Sequence, residues 1–174
     1  RVLKSRDTKV GRFQGEYEVR HCKGCDLMYT WPQVSEEEMY QAYNSGYPAH
    51  IRTSFRPAQP SRRKAALMSL LYRNLRWLPP LPRGARILDI GCSTGEFLAE
   101  HDNGWERHGV DVSTAAVAMG HELYGLDLHH GRMDGLDFPD NHFDVVTCWH
   151  TFEHVYDPKL YLREIARVLK PGGY

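Results

Sequence analysis

The chain has 174 residues, enough for one α/β domain with a small appendage and a sizeable core. Its 22 basic and 22 acidic residues cancel, so no basic excess advertises a nucleic-acid partner. No apolar run is long enough to span a bilayer and no signal peptide is recognisable, so a cytoplasmic protein is expected; four cysteines without a disulfide framework fit that compartment.

Residues from Arg1 to about Met28 mix charge with short β-like runs such as Tyr17-Glu18-Val19-Arg20, and predict a small hairpin module around the turn Cys22-Lys23-Gly24-Cys25. Cys22 and Cys25 form one knuckle of a metal site, and tetrahedral zinc needs two more ligands. Ser35-Glu36-Glu37-Glu38 is a capping box that starts a short helix through Tyr43, which Asn44-Ser45-Gly46 ends. Pro48, Pro57 and Pro60 punctuate a polar stretch read as a linker or lid. A helix from Ser61 to about Leu78 follows, with Leu67, Leu71, Leu75 and Leu78 on one face, and Pro79-Pro80 stops it. The expected organisation is an extension over 1–47, a linker or lid over 48–60 and a core over 61–174.

From Ala85 onward strand and helix patterns alternate. Strands are predicted near Arg86 to Ile90, His108 to Val110, Leu126 to His129 and Phe143 to Trp149; helices fall near Glu96 to His101, Thr114 to Tyr124 and Pro158 to Leu169. This alternation predicts a Rossmann-like, doubly wound, mainly parallel sheet with helices on both faces. Ligands of such sheets lie beyond the carboxyl ends of the strands, next to the first one. The last residues, Pro171-Gly172-Gly173-Tyr174, stand where a helix would turn into a further strand, so C-terminal strands are expected to lie outside this sequence.

Ile87-Leu88-Asp89-Ile90-Gly91-Cys92-Ser93-Thr94-Gly95-Glu96-Phe97 ends an apolar strand with a carboxylate and then makes a glycine turn into a helix. A dinucleotide loop offers bare N–H groups and a central glycine to a pyrophosphate. Here Ser93 holds the centre, and Asp89 would repel a pyrophosphate but attract a ligand carrying ammonium and sulfonium groups. Asp111 ends the second strand about twenty residues beyond Gly91, the spacing at which an acidic side chain meets both ribose hydroxyls. The third strand runs into Gly131-Arg132-Met133-Asp134, where Met133 can pack on an adenine face and Asp134 can accept from its amino group. Cys92, Val112 and Trp149 complete the candidate cofactor lining with Gly95.

These motifs, with Asn141-His142-Phe143-Asp144-Val145-Val146 and Arg167-Val168-Leu169-Lys170-Pro171-Gly172-Gly173, strongly resemble class I S-adenosylmethionine-dependent methyltransferases from Ala85 to the last residue. The resemblance implies S-adenosylmethionine as cofactor, with Gly91 and Gly95 at its methionine end, Asp111 on the ribose and the Met133-Asp134 region beside adenine. Arg132 departs from the family, many of whose members carry aspartate there. The run Arg20 to Tyr47 resembles an N-terminal extension of many bacterial methyltransferases, in which another CxxC pair precedes it. That resemblance implies a structural zinc on Cys22 and Cys25 in the full-length protein; the alternative is a reduced, metal-free hairpin.

Trp149-His150-Thr151-Phe152-Glu153-His154 follows the fourth strand. His150 and His154 are candidate bases that take a proton from an acceptor hydroxyl or carbon acid, with Glu153 beside them. A second reading has Glu153 and His154 only fixing the loop, with His150 lining the pocket, because in-line methyl transfer is driven largely by positioning. The spacing also matches an inverted zinc-protease motif, but Pro158 and the preceding strand leave no helix to carry it. The implied activity is methyl transfer to oxygen or carbon of a small-molecule, sugar-linked acceptor. The rivals are a noncatalytic or inactive fragment that retains the fold, and an NAD-dependent oxidoreductase.

Overall fold

The computed structural model describes residues 3–6, 16–41, 43–44 and 78–174. The expected linker over 48–60 and nearly all of the helix from Ser61 lie outside them. The chain divides into two compact units, Arg1–Ser45 and Gly46–Tyr174.

In the first unit β1 (Leu3–Arg6), β2 (Glu16–His21) and β3 (Met28–Trp31) form an antiparallel sheet in that order. The Cys22–Cys25 turn joins β2 to β3. It closes because the Cys22 N–H donates to the Leu27 carbonyl at 2.8 Å and the Asp26 N–H to the Cys22 carbonyl at 2.9 Å, with Asp26 at a φ of 63° that aspartate tolerates. The Arg20 guanidinium pairs with Glu18 at 3.2 Å and lies 4.9 Å from the centre of the Trp31 ring. The capping box forms as its sequence predicts: the Glu38 N–H donates to Ser35 Oγ at 3.2 Å and the Ser35 N–H to Glu38 Oε2 at 3.0 Å, opening helical residues 36–41.

The second unit is built on β4 (Arg86–Ile90), β5 (Glu106–Asp111), β6 (Asp127–His130) and β7 (Val145–Thr147), all parallel in the order β6-β5-β4-β7. The first strand of this sheet thus lies between the second and the fourth, which creates the switch point. Both faces of β4 are covered, as an apolar parallel strand requires. Ile87 faces a core of Phe97, Leu98, Val117, Leu126, Leu128 and Val145, while Leu88 and Ile90 face a second core of Val110, Met133, Phe143, Tyr161 and Val168. The first core is roofed by α1 (Glu96–Glu100) and α2 (Thr114–Tyr124), the second by α3 (Pro158–Val168). The fold is the Rossmann-like, mainly parallel sheet with helices on both faces that the alternation predicts.

Local chemistry fixes the helix ends. Ser113 Oγ accepts the Ala116 N–H and Gly125, at φ 61°, closes α2; Asp157 Oδ1 accepts the Leu160 N–H at 3.0 Å, ahead of Pro158 in the first turn of α3. Strand boundaries move by one or two residues from the sequence reading, most at β5, which extends over Glu106–Asp111, and at the fourth strand. The fourth strand shrinks from Phe143–Trp149 to Val145–Thr147, with Phe143 in an isolated bridge to Leu169. Asp144 lies between the bridge and the strand: its carboxylate takes the Arg86 N–H at 2.8 Å and both of its oxygens lie 2.8 Å from Lys170 Nζ. Burial works to raise the Asp144 pKa, but the Arg86 N–H and the Lys170 ammonium outweigh it and hold the carboxyl below its usual range. Among the described residues, no helix is long and apolar enough to cross a membrane.

Candidate active site

The sheet delivers two acids to its carboxyl edge. Asp89, in β4, is 3% exposed, and Thr147 Oγ1 on the neighbouring β7 donates to its Oδ1 at 2.6 Å. Asp111 ends β5 at 7% exposure. Its Oδ1 accepts the Ser113 N–H and its Oδ2 the Ser93 N–H, each at 2.8 Å, so one carboxylate ties the turn after β4 to the turn after β5. Each oxygen retains a second lone pair, and two ribose hydroxyls would use those. Burial pushes the Asp111 pKa up, against the two N–H donors that favour the charged form.

Between the acids, Gly91 sits at φ 73° and Gly95 at φ 76°, with Ser93 at φ 53° between them. A β-carbon on Gly91 would fall 2.0 Å from Thr151 Oγ1. Only glycine lets the loop after β7 lie against this turn. The Gly91 and Cys92 N–H groups both donate to the Val110 carbonyl, at 2.7 and 3.0 Å; Ser93 donates to Asp111 and Gly95 to the Cys92 carbonyl at 2.9 Å. A pyrophosphate loop needs such donors free, and here four of them are committed to protein oxygens.

The structure brings some predicted residues together and sets others apart. The Cys92 side chain lies in the first core, and burial first, then Asp111 and Asp89, push its thiol far above the ordinary range. Val112 is half-buried beside the edge, and Trp149 packs its ring edge-on to Phe97 at 5.8 Å. Met133 is fully buried in the second core, and both oxygens of Asp134 are held by the Arg132 guanidinium. The departure at Arg132 therefore has a structural partner in the residue expected to read adenine.

His150, Glu153 and His154 are all exposed after β7. His150 adopts φ 54° and its Nδ1 lies 4.0 Å from Glu153 Oε1. Glu153 and His154 belong to a single helical turn, Phe152–His154, which the His154 N–H closes on the Thr151 carbonyl at 2.9 Å. Among the described residues these three do not bring their donors within metal range of one another, and Cys22 and Cys25 join no third donor. In the first unit the Cys22 thiol is drawn below its usual range by the Gly24 N–H and by Cys25.

Thr147, Thr151 and Ser113 are contributors that sequence reasoning missed. Thr151, the residue seated on Gly91, carries no sequence signal, because its role arises from the approach of two loops. Ser113 carried one: Asp111-Val112-Ser113 is the spacing at which aspartate accepts its own chain's N–H two residues on. The buried acids and the glycine turn fit a ligand that carries both positive charge and a ribose, as S-adenosylmethionine does.

A profile of the family described as methyltransferase domain matches residues 88–174, half of the chain. The chain belongs to this methyltransferase family. The match takes in Asp89, the glycine turn, Asp111 and the loop after β7, and it leaves Cys22 and Cys25 outside. Demethylmenaquinone methyltransferase of Listeria welshimeri is 38% identical over 101 residues, 52% of this chain and 43% of that protein. A ubiquinone biosynthesis O-methyltransferase of Maricaulis maris is 36% identical over 97 residues, 52% of this chain and 38% of that protein. The chain thus spans less than half the length of these curated relatives. Among solved structures, the cyclase SpnF superposes with a TM-score of 0.63 at 26% identity, over 82% of this chain and 59% of that one. An S-adenosylmethionine-dependent methyltransferase from Mesorhizobium loti superposes with a TM-score of 0.53 at 28% identity, over 59% of this chain and 50% of that one. Family and fold together place residues 88–174 in a class I S-adenosylmethionine-dependent methyltransferase domain.

Proposed function

We propose that the chain binds S-adenosylmethionine through Asp89, Gly91, Gly95 and Asp111 and serves methyl transfer to oxygen or carbon of a small-molecule acceptor. The observation that carries this reading is the pair of buried acids flanking a glycine turn whose N–H groups are turned inward. That arrangement suits a ligand with positive charge and a ribose, and it is poor for a pyrophosphate. The bound donor supplies an electrophilic methyl group. The protein's part is to hold acceptor and donor within the general near-attack range of about 3 to 3.5 Å and to exclude water. His150 or His154 then accepts the acceptor's proton where its nucleophile carries one.

Support for a small acceptor comes from relatives whose names specify demethylmenaquinone and ubiquinone biosynthesis, so quinol-like and sugar-linked compounds both belong in an acceptor screen. The organisation into an extension over 1–47, a linker or lid over 48–60 and a core over 61–174 is part of the same reading. Cys22 and Cys25 supply two thiolates, and a structural zinc on them requires two further donors.

Titration of S-adenosylhomocysteine into this chain, with NAD as control, tests the donor assignment. Saturable binding of the homocysteine compound alone is expected. Binding of NAD alone would assign an oxidoreductase, and binding of neither by a folded sample would leave a noncatalytic domain. Replacing His150, Glu153 or His154 by alanine is expected to keep the affinity for S-adenosylhomocysteine within about twofold, below half a kcal/mol, because these exposed side chains serve the acceptor and not the donor. A tenfold loss in any of them would move that residue into the donor site.

A further inference from the structure

We propose that His108, Asp127 and His129 form a binding site for a zinc-class divalent cation, on the face of the sheet away from the glycine turn. The parallel register sets His108 opposite Asp127 and Val110 opposite His129. Asp127 and His129 are two residues apart on β6 and so share a face, and His108 meets them from β5. His108 Nδ1 lies 2.8 Å from Asp127 Oδ2, and His129 Nε2 lies 3.4 Å from Asp127 Oδ1. All three donor atoms lie within 4.8 Å of one another. Donors held about 2.1 Å from one tetrahedral ion stand about 3.4 Å apart, so small rotations complete the set.

A plain strand clamp does not account for the second histidine. One carboxylate opposite His108 would suffice to pin β6 to β5. His129 Nε2 is nonetheless buried, aimed at Asp127 and without a hydrogen-bond partner, its 3.4 Å approach lacking the geometry of one. The imidazoles are braced: His108 stands edge-on to Phe143 at 5.5 Å, His129 edge-on to Phe138 at 5.2 Å, and the two rings lie within 15° of parallel. Their rotamers are therefore set before an ion arrives. The Asp127 side chain is 56% exposed, which leaves an entry from solvent and room for water in the remaining position. Two imidazoles and one carboxylate favour zinc and its neighbours; magnesium and calcium prefer sites of oxygen alone.

The site is separate from the donor pocket. His108 precedes Asp111 by three residues along β5, about 10 Å at the rise of an extended strand. Bound metal would tie β6 to β5 just before His130, which pairs with Asp111 in the ladder. The role that follows is a structural clamp on the outer strand, independent of the acceptor methylated.

The test uses the whole chain with Cys22→Ser and Cys25→Ser, so that thiolates do not compete. Zinc is titrated against a chromophoric chelator, and cobalt serves as a spectroscopic substitute. One equivalent of zinc is expected, with a higher Tm and a cobalt spectrum free of thiolate charge-transfer bands. Adding Asp127→Asn or His129→Gln is expected to weaken zinc affinity by about tenfold or more. Two substitutions of similar size are specified so that a folding defect in one leaves the other decisive, with circular dichroism confirming the fold of each. Absence of zinc binding, or affinity unchanged by both substitutions, overturns the proposal.

Discussion

Asp111→Ala is expected to weaken S-adenosylhomocysteine binding more than tenfold, about 1.4 kcal/mol. Two losses combine. The ribose hydroxyls lose a charged acceptor, and the Ser93 and Ser113 N–H groups lose the oxygens they now hold at 2.8 Å. Ser113 is fully buried, and an unpaired donor there costs about 1–3 kcal/mol of stability. Affinity and Tm therefore have to be read together. A fall in Tm with unchanged affinity would confine Asp111 to bracing the two turns and remove it from the ribose site. Asp111→Asn, which keeps the volume but presents an amide to one of the two donors, is expected to lose affinity as well.

The pH dependence carries a sign of its own. Burial raises the Asp111 pKa in the folded chain, and only the ionised carboxylate accepts from both hydroxyls while holding both N–H groups. Ligand affinity is thus expected to be full near neutrality and to fall on acidification from a higher pH than an exposed aspartate, of pKa about 3.9, would set. The stability term runs the other way. A folded pKa raised above the unfolded one contributes stability that is present below the unfolded pKa and is lost as pH rises through the folded pKa. Acidification through that window therefore weakens binding while this one group favours the folded state. Titrations of the ligand from about pH 4 to 7 separate the two, and an affinity that stays flat across that range would count against the ribose role.

The parts of this fold legible in the sequence are those decided locally. The strand β4 announces itself because its residues are apolar on both faces, and α2 because Ser113 and Gly125 mark its ends. The capping box at Ser35 and Glu38 is a short-range exchange of two bonds, and sequence reading recovers it. What stays hidden depends on approach between distant segments. Glu106-Arg107 reads poorly as strand, yet β5 begins two residues ahead of the predicted start at His108, at Glu106, whose carboxylate pairs with Arg86 at 2.7 Å on the next strand. Gly109 is required there because a β-carbon would fall 2.6 Å from Leu128 and 2.7 Å from Cys92, a crowding no local pattern encodes. At the candidate site the types of residue are legible and their partners are not. Asp111 reads as a ribose acid, but not as the brace of the Ser93 turn. Asp134 reads as an acceptor, but its capture by Arg132 depends on side-chain geometry.

Gly120→Ala tests another crowded approach, one that meets a backbone carbonyl, and two known effects predict opposite signs. Gly120 lies inside α2, where alanine is intrinsically favoured over glycine by about 1 kcal/mol, so propensity alone predicts a more stable protein. The added β-carbon would meet Leu128 Cδ1 at 2.3 Å and the Thr94 carbonyl oxygen at 2.5 Å. Leu128 can turn aside, but the Thr94 carbonyl cannot. Its neighbours are fixed, Ser93 by its N–H to Asp111 and Gly95 by its N–H to the Cys92 carbonyl. The helix must lift off the turn, and such overpacking costs typically 1–3 kcal/mol, occasionally more. With a backbone atom as the obstacle, the upper end applies. A net destabilisation of about 2 kcal/mol is expected, a Tm lowered by roughly 4–8 °C for a chain of this size. Because the displaced carbonyl belongs to the glycine turn between Asp89 and Asp111, affinity for S-adenosylhomocysteine is expected to fall with it. A higher Tm would mean that propensity prevails and that α2 does not rest on this turn as tightly as the distances state.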